Sequence, residues 1–312
     1  MQAVFLDAGS LNPDDLDTAS LYALPVALTC YDDTPPAEVA ARINHADIVI
    51  TNKVMLTEAV LRQAPRCRYI GITATGMNNV DLAWCRRAGV SVTNVAGYGT
   101  DAVAQHTLML LLNLAARYDA YRRDVKAGAW SSSPHFCLLG HPVTELAGKQ
   151  AVIVGYGTLG QRVAALYQAL GMTVTVAARP GKRDDPRPAL EALLPDADVV
   201  SLHCQLSEDT AQMMNAERFA LMKSGCLLIN TARGGLIDES ALLDALHHGL
   251  LGGAALDVLS QEPPPASHPL LQYDNDNLII TPHNAWVARA SRQRLLDGVV
   301  SNLADWLAQQ HD

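Results

Sequence analysis

The chain has no run of basic residues, no cysteine pair at metal-ligand spacing, no long hydrophobic segment and no internal repeat. Each absence removes a class of function. Lys and Arg number 23 against 32 Asp and Glu, a net charge of −9 that no lysine-rich tail offsets. Phosphate neutralisation, the basis of non-specific nucleic-acid binding, is therefore not expected. The six cysteines (Cys30, Cys67, Cys85, Cys137, Cys204, Cys226) are scattered without a CxxC pair, a pattern that favours reduced thiols over a disulfide framework. HExxH and similar spacings are missing, so no metal site is expected. The longest apolar stretch, "HTLMLLLNLAARY", is too short and too polar at its ends to span a bilayer. The opening "MQAVFLDAG" has one short apolar run without a basic leader or cleavage site, as in a first strand and unlike a signal peptide. The expected location is the cytoplasm, with neither nucleic acid nor membrane as a partner.

What is present is alternation. The 312 residues, 49% of them hydrophobic and 18% charged, suffice for two domains with sizeable cores. "AVFLDA", "ADIVIT", "RYIGIT" and "VSVTNV" are compact strand patterns separated by helical segments at 36–45, 57–64 and 81–88. A long helical pattern over 101–126 follows, then an irregular stretch, then a second series: "QAVIVG", "TVTVAA", "DVVSLHC", "CLLINTA", "GGAALDV" and "NLIITPH". Strands alternating with helices predict an α/β fold of two doubly wound parallel sheets. The expected boundaries are 1–98 plus 288–312 for one domain and 99–287 for the other, with the last helix returning to the first domain.

"AVIVGYGTLG" supplies Gly155, Gly157 and Gly160 as GxGxxG between a strand and a helix. The first glycine serves the tight turn, the second lets backbone approach a pyrophosphate, and the third lets helix and strand pack closely. The helix N-terminus adds amide donors and partial positive charge. That context makes the second domain a dinucleotide binder. The next strand ends "AARPGKR", with Arg179, Lys182 and Arg183 where an acidic residue would select NAD. Guanidinium groups pair bidentately with phosphate, so NADP(H) is the expected cofactor and NAD(H) the alternative. On the competing view these cations are solvated loop charges, partly answered by Asp184 and Asp185.

Hydride transfer to a ketone carbon needs a cation to hold the substrate, a proton donor for the nascent alkoxide and a group that keeps the donor protonated. Arg233 in "NTARGGLID", Glu262 in "DVLSQEPPP" and His283 in "ITPHNAW" each follow a predicted strand. Strand carboxyl ends are where ligands sit in open α/β sheets. Each residue alone is unremarkable, and together they form a candidate catalytic set.

With "GYGTLG", "LHCQL", "NTARGGLIDE", "ALDVLSQEP" and "TPHNAW" in that order, the chain resembles the D-isomer-specific 2-hydroxyacid dehydrogenases over nearly its full length. "ATGMNNVDL", "NVAGYGTDAVAQHT" and "GAWSSSPHFC" most resemble the glycerate dehydrogenases, that is, hydroxypyruvate/glyoxylate reductases. The resemblance implies a flavodoxin-like substrate domain and a Rossmann cofactor domain. It implies that Arg233 holds the substrate, that His283 is the acid/base, and that Glu262 hydrogen-bonds His283. A carboxylate beside an imidazole favours imidazolium, which suits a proton donor. The backbone of Ala74, Thr75 and Gly76 would receive the substrate carboxylate, with Asn52 or Lys53 nearby. The cofactor would meet Thr100, Thr158, Leu159, His203, Thr231, Ala232 and Asp257 besides the glycines and cations. His106 is expected to be a helix-packing or inter-subunit residue. Gln205, where the family commonly has proline, and Met77, in place of a smaller residue, are departures that bear on substrate range.

The expected reaction is reduction of a small 2-keto acid, hydroxypyruvate or glyoxylate, to the D-2-hydroxy acid. Another D-2-hydroxy acid such as lactate is the alternative enzyme reading. A cofactor-sensing binding protein is a second alternative, disfavoured because Arg233, Glu262 and His283 are all present. Closure of two lobes over a cleft is expected, as is a homodimer gripped by an arm at about 101–142.

Overall fold

The computed structural model describes residues 1–182 and 184–310. The chain divides into two compact units, Met1–Gly99 with Trp286–Asp312, and Thr100–Ala285. Every strand pairing within them is parallel, so neighbouring strands are joined by crossovers and never by hairpins. No helix among the described residues is long and apolar enough to cross a membrane.

The first unit has strands β1 (Gln2–Phe5), β2 (Ala27–Cys30), β3 (Ile48–Thr51), β4 (Tyr69–Ile72) and β5 (Ser91–Thr93) in the order β2-β1-β3-β4-β5. Alternate residues feed two cores, as the period of a strand requires. Val4, Val49, Ile70 and Ile72 face one cluster, with Val39, Ile43, Leu61 and Cys85. Phe5, Ile48, Ile50 and Tyr69 face the other, closed by Leu295, Leu296, Val299, Leu303 and Trp306 of the helix Arg289–Ala308. Strand β2, "ALTC", was not expected from sequence; it is a mostly exposed edge strand without the apolar run that marks the others.

The second unit has β6 (Gln150–Val154), β7 (Thr173–Val176), β8 (Val199–Leu202), β9 (Leu227–Asn230), β10 (Gly253–Leu256) and β11 (Leu278–Ile280) in the order β11-β10-β9-β8-β6-β7. Ala151, Ile153, Val199, Ile229 and Ala255 face the helices Thr100–Ala116 and Thr158–Ala169. Val152, Val154, Val200, Leu228 and Leu256 face the opposite core with Phe219, Leu242 and Leu246. Strand β6 is flanked by β7 and β8, so the winding reverses beside it, and the crevice outside its carboxyl end is the ligand position of such sheets. The helical pattern over 101–126 is not one helix. It breaks at Arg117, which takes a left-handed conformation (φ 51°) between Thr100–Ala116 and Tyr118–Lys126.

Candidate active site

The glycine turn occupies that switch point. Gly155 follows β6 with φ 95°, and a Cβ there would lie 2.5 Å from the Cys204 nitrogen and 2.6 Å from the His203 carbonyl carbon. A Cβ on Gly160 would come 2.0 Å from the Gly155 oxygen. Both positions exist for close backbone crossings. Gly157 is different: its missing side chain faces nothing within 4 Å. The helix Thr158–Ala169 starts there without a side-chain cap, so the N–H groups of Thr158, Leu159 and Gly160 have no intrahelical acceptor. Open space beside uncapped donors fits a pyrophosphate.

Beyond β7 the chain turns through a cavity of about 370 Å³ lined by Arg179, Lys182, Asp184, Asp185, Pro186 and Arg187. Arg183 lies outside the described residues. Asp185 is the hub of this loop. It accepts from the Arg179 backbone N–H (3.0 Å) and from Arg187 Nε (2.8 Å). The Arg187 guanidinium holds the Asp185 carboxyl well below the usual carboxylate range. The charge of Asp185 is thus answered by Arg187, a residue not singled out from sequence. The Arg179 side chain is 70% exposed, with Nε 3.6 Å from Asp185.

His203 closes the strand β8 side of the turn. Tyr167 donates to Ser201 Oγ (3.2 Å), and Ser201 Oγ lies 2.8 Å from His203 Nε2. A serine hydroxyl that accepts from tyrosine has its own proton left for Nε2, which puts the imidazole proton on Nδ1. Nδ1 is buried with no partner among the described residues, although part of the ring reaches the surface. Burial pushes the pKa of His203 down to about 3, so the ring is neutral. Burial also pushes the neighbouring Cys204 thiol up to about 11.

Three loops at the ends of β9, β10 and β11 carry the predicted catalytic residues. Asn230, fully buried at the end of β9, shapes the first: its amide donates to the Arg233 carbonyl (2.9 Å) and its oxygen accepts from Ala232 N–H (3.0 Å). Arg233 follows, with one guanidinium N–H on the Ala232 carbonyl (2.6 Å). His283 and Glu262 come together, Nδ1 to Oε2, at 2.6 Å. The other Glu262 oxygen accepts from Leu259 N–H (3.0 Å), which fixes the carboxylate. A carboxylate only accepts, so the proton of this contact sits on His283 Nδ1. His283 itself sits at φ 51°, its N–H directed at the Asp257 and Thr281 carbonyls (2.8 and 2.9 Å).

Asp257, 1% exposed, accepts from Thr281 Oγ1 (2.6 Å) and from the N–H groups of Asn284 and Ala285 (3.0 Å each). Its carboxylate therefore wraps the loop of His283. Thr231 is bonded to Thr107 (2.9 Å) and His106 to Thr281 (3.0 Å). Thr100 opens the helix Thr100–Ala116. Neither the engagement of Asp257 with the His283 loop nor that of His106 has a signature in the linear sequence.

In the first unit, Asn52 and Lys53 follow β3, their N–H groups held by the two oxygens of buried Asp7 (2.8 and 2.7 Å). The Asn52 amide donates to Ser10 (3.0 Å). Ala74, Thr75 and Gly76 follow β4; the loop is tied down by Thr75 Oγ1 on the Val95 carbonyl (3.1 Å) and by Asn94 on the Thr75 carbonyl (2.6 Å). Among the described residues the N–H groups of Thr75 and Gly76 donate to no acceptor. Adjacent open amides of this kind are the donors that anions bind in other folds.

A glycine turn at a switch point, beside loops that carry an imidazole–carboxylate pair and an arginine, defines a nicotinamide-dependent oxidoreductase. The model of the NAD binding domain of D-isomer specific 2-hydroxyacid dehydrogenases matches residues 108–285. A hydroxypyruvate reductase of Blautia hydrogenotrophica is 40% identical over 98% of this chain and 97% of its own. A glycerate dehydrogenase of Methylorubrum extorquens is 38% identical over 98% and 96%. A crystal structure of a Thermus thermophilus protein superposes with a TM-score of 0.86 at 35% identity, covering 99% of this chain and 97% of that one. The chain belongs to the D-isomer specific 2-hydroxyacid dehydrogenase family.

Proposed function

We propose that the protein reduces hydroxypyruvate and glyoxylate to D-glycerate and glycolate with NADPH as the preferred donor. The 2.6 Å pairing of His283 Nδ1 with Glu262 carries the chemical part of this reading, and the relatives named hydroxypyruvate reductase and glycerate dehydrogenase support the substrate class. The bound nicotinamide supplies a hydride to the carbonyl carbon. Arg233 stays cationic throughout, orients the 2-keto acid and polarises its carbonyl. His283 gives the Nε2 proton to the nascent alkoxide, while Glu262 holds the ring orientation and balances the imidazolium that precedes transfer. In the opposite direction neutral Nε2 takes the proton from the hydroxyl. In the first unit the same proposal gives the open N–H groups of Thr75 and Gly76, with Asn52, Lys53 and Ala74 beside them, the task of receiving a carboxylate.

The choice of NADPH rests on the loop after β7. Ala178 stands where a carboxylate would accept the ribose hydroxyls, and of the two carboxylates lining the cavity, Asp184 and Asp185, the latter is engaged by Arg187 and the Arg179 amide. Arg179 and Lys182 then serve the 2′-phosphate. The reading includes a cytoplasmic homodimer. It is supported by six free cysteines and by the exposed apolar side chains Trp130 (53%), Phe136 (91%), Leu139 (87%) and Val143 (60%), which a second copy of this chain would cover.

Initial rates with hydroxypyruvate and glyoxylate, NADPH and NADH titrated side by side, test the proposal. We expect kcat/KM at least about tenfold higher with NADPH, and loss of that preference in Arg179→Ala/Lys182→Ala. Equal or better use of NADH would leave the dehydrogenase and refute the cofactor assignment. No turnover of either keto acid would refute the substrate assignment, and a monomeric mass in solution the homodimer.

A further inference from the structure

The two loops that bear Arg233 and His283 are both fastened to one turn of one helix. In Thr100–Ala116, His106 and Thr107 are adjacent, and the helix packs across β9, β10 and β11. Thr107 is fully buried and donates its hydroxyl proton to the Val103 carbonyl (2.8 Å). Its contact with Thr231 (2.9 Å) therefore has Thr231 as donor. Thr231 lies two residues before Arg233. On the other side, Thr281 spends its proton on Asp257 Oδ1 (2.6 Å). The 3.0 Å contact of His106 Nε2 with Thr281 Oγ1 then requires His106 to donate. Thr281 lies two residues before His283, and Asp257 holds the Asn284 and Ala285 amides beyond it. Burial lowers the pKa of His106, opposed by the Asp257 charge; a neutral ring with its proton on Nε2 satisfies this geometry.

We propose that His106 and Thr107 are a pair of positioning residues that hold the Arg233 loop and the His283 loop in register with each other, so that substrate cation and proton donor act at one carbonyl. Neither touches the reacting atoms. The chain His106–Thr281–Asp257 sets the backbone that delivers His283, and Thr107–Thr231 sets the backbone that delivers Arg233. A shift of one loop by about 1 Å is enough to slow turnover about a hundredfold, because reacting groups tolerate little misplacement. The proposal rests on the dehydrogenase reading for its kinetic consequence but not for its structural one.

The test compares His106→Leu, His106→Gln and Thr107→Val in the full chain, with two readouts. One is steady-state reduction of hydroxypyruvate with cofactor Kd measured separately. The other is hydrogen exchange at the amides of Asn284, Ala285 and Ala232, which needs no substrate. His106→Leu is expected to lower kcat by about ten- to a hundredfold with cofactor Kd within about twofold, and to speed exchange at Asn284 and Ala285. His106→Gln keeps a terminal N–H donor and should recover most of kcat and the exchange protection. Thr107→Val, nearly isosteric, should speed exchange at Ala232, whose N–H is held by Asn230 Oδ1, and lower kcat even if His106→Leu folds poorly. Unchanged exchange in His106→Leu and Thr107→Val would overturn the proposal, as would a glutamine variant no better than the leucine one. A wild-type chain inactive on keto acids, with exchange responding as described, would instead sink the proposed reaction and leave the loop registration standing.

Discussion

Acidification should weaken the fold through His203, a residue that catalysis does not titrate. Its ring is held neutral by burial, with a pKa of about 3 in the folded chain against about 6.5 when unfolded. A histidine whose folded pKa is depressed contributes stability that is fully present above the unfolded value and is lost as pH falls below it, because the unfolded chain then binds the extra proton. Between about pH 8 and about pH 6 that linkage removes about 0.8 kcal/mol, and by about pH 5 about 2 kcal/mol. The upper of these windows avoids the isoelectric region near 5.5. Urea unfolding of the wild type and of His203→Gln at both pH values isolates the contribution, because titrations common to the two chains cancel in the double difference. The expected double difference is about 0.8 kcal/mol, with the wild type the more acid-sensitive. Imidazole ¹⁵N shifts should also show His203 neutral with its proton on Nδ1 throughout. Parallel pH profiles for the two chains, or an Nε2–H tautomer, would refute the relay from Tyr167 through Ser201.

Two further substitutions probe packing around the sites. Gly234→Ala would place a Cβ 1.9 Å from the Leu259 carbonyl carbon, a backbone contact that must move the Arg233 loop against the Glu262 loop; we expect keto-acid turnover to fall at least about tenfold while cofactor affinity, measured by fluorescence titration, holds. Wild-type turnover in that variant would mean the two loops are free to separate. Arg292 is 8% exposed and donates to the Leu11 and Asn12 carbonyls (2.9 Å each) and to both oxygens of Asp15 (2.7 Å each). Arg292→Met removes these bonds and should lower stability by about 2 kcal/mol, read as a drop in the urea midpoint.

Much of the architecture was legible because strand and helix patterns differ in period. The runs that became β3, β4, β6, β8 and β9 are buried along almost their whole length and read as continuous apolar segments. Strand β2 escaped because an edge strand with one covered face at most needs no such run. The break at Arg117 escaped because neither glycine nor proline marks it. Within the candidate site, the glycine turn and the pairing of Glu262 with His283 follow from motifs that fold locally or lie on neighbouring strand exits. The support beneath them does not. His106 meets Thr281 across 175 positions and Thr107 meets Thr231 across 124, distances at which no spacing rule operates. Asp7 beneath Asn52 and Lys53, and Arg187 beside Asp185, are ordinary charges in the sequence that acquire meaning only from what they touch.

The helix Arg289–Ala308 has a consequence for how the molecule is made. It completes the core that Phe5, Ile48, Ile50 and Tyr69 begin, so during synthesis the unit of β1 to β5 lacks one wall until Arg289–Ala308 has emerged. The intervening unit, Thr100–Ala285, is continuous and carries all of its own strands. During synthesis it is the part able to close its core while the earlier residues still wait with an apolar sheet face uncovered. In that interval the face of β1, β3 and β4 that carries Phe5, Ile48, Ile50 and Tyr69 is without its covering helix.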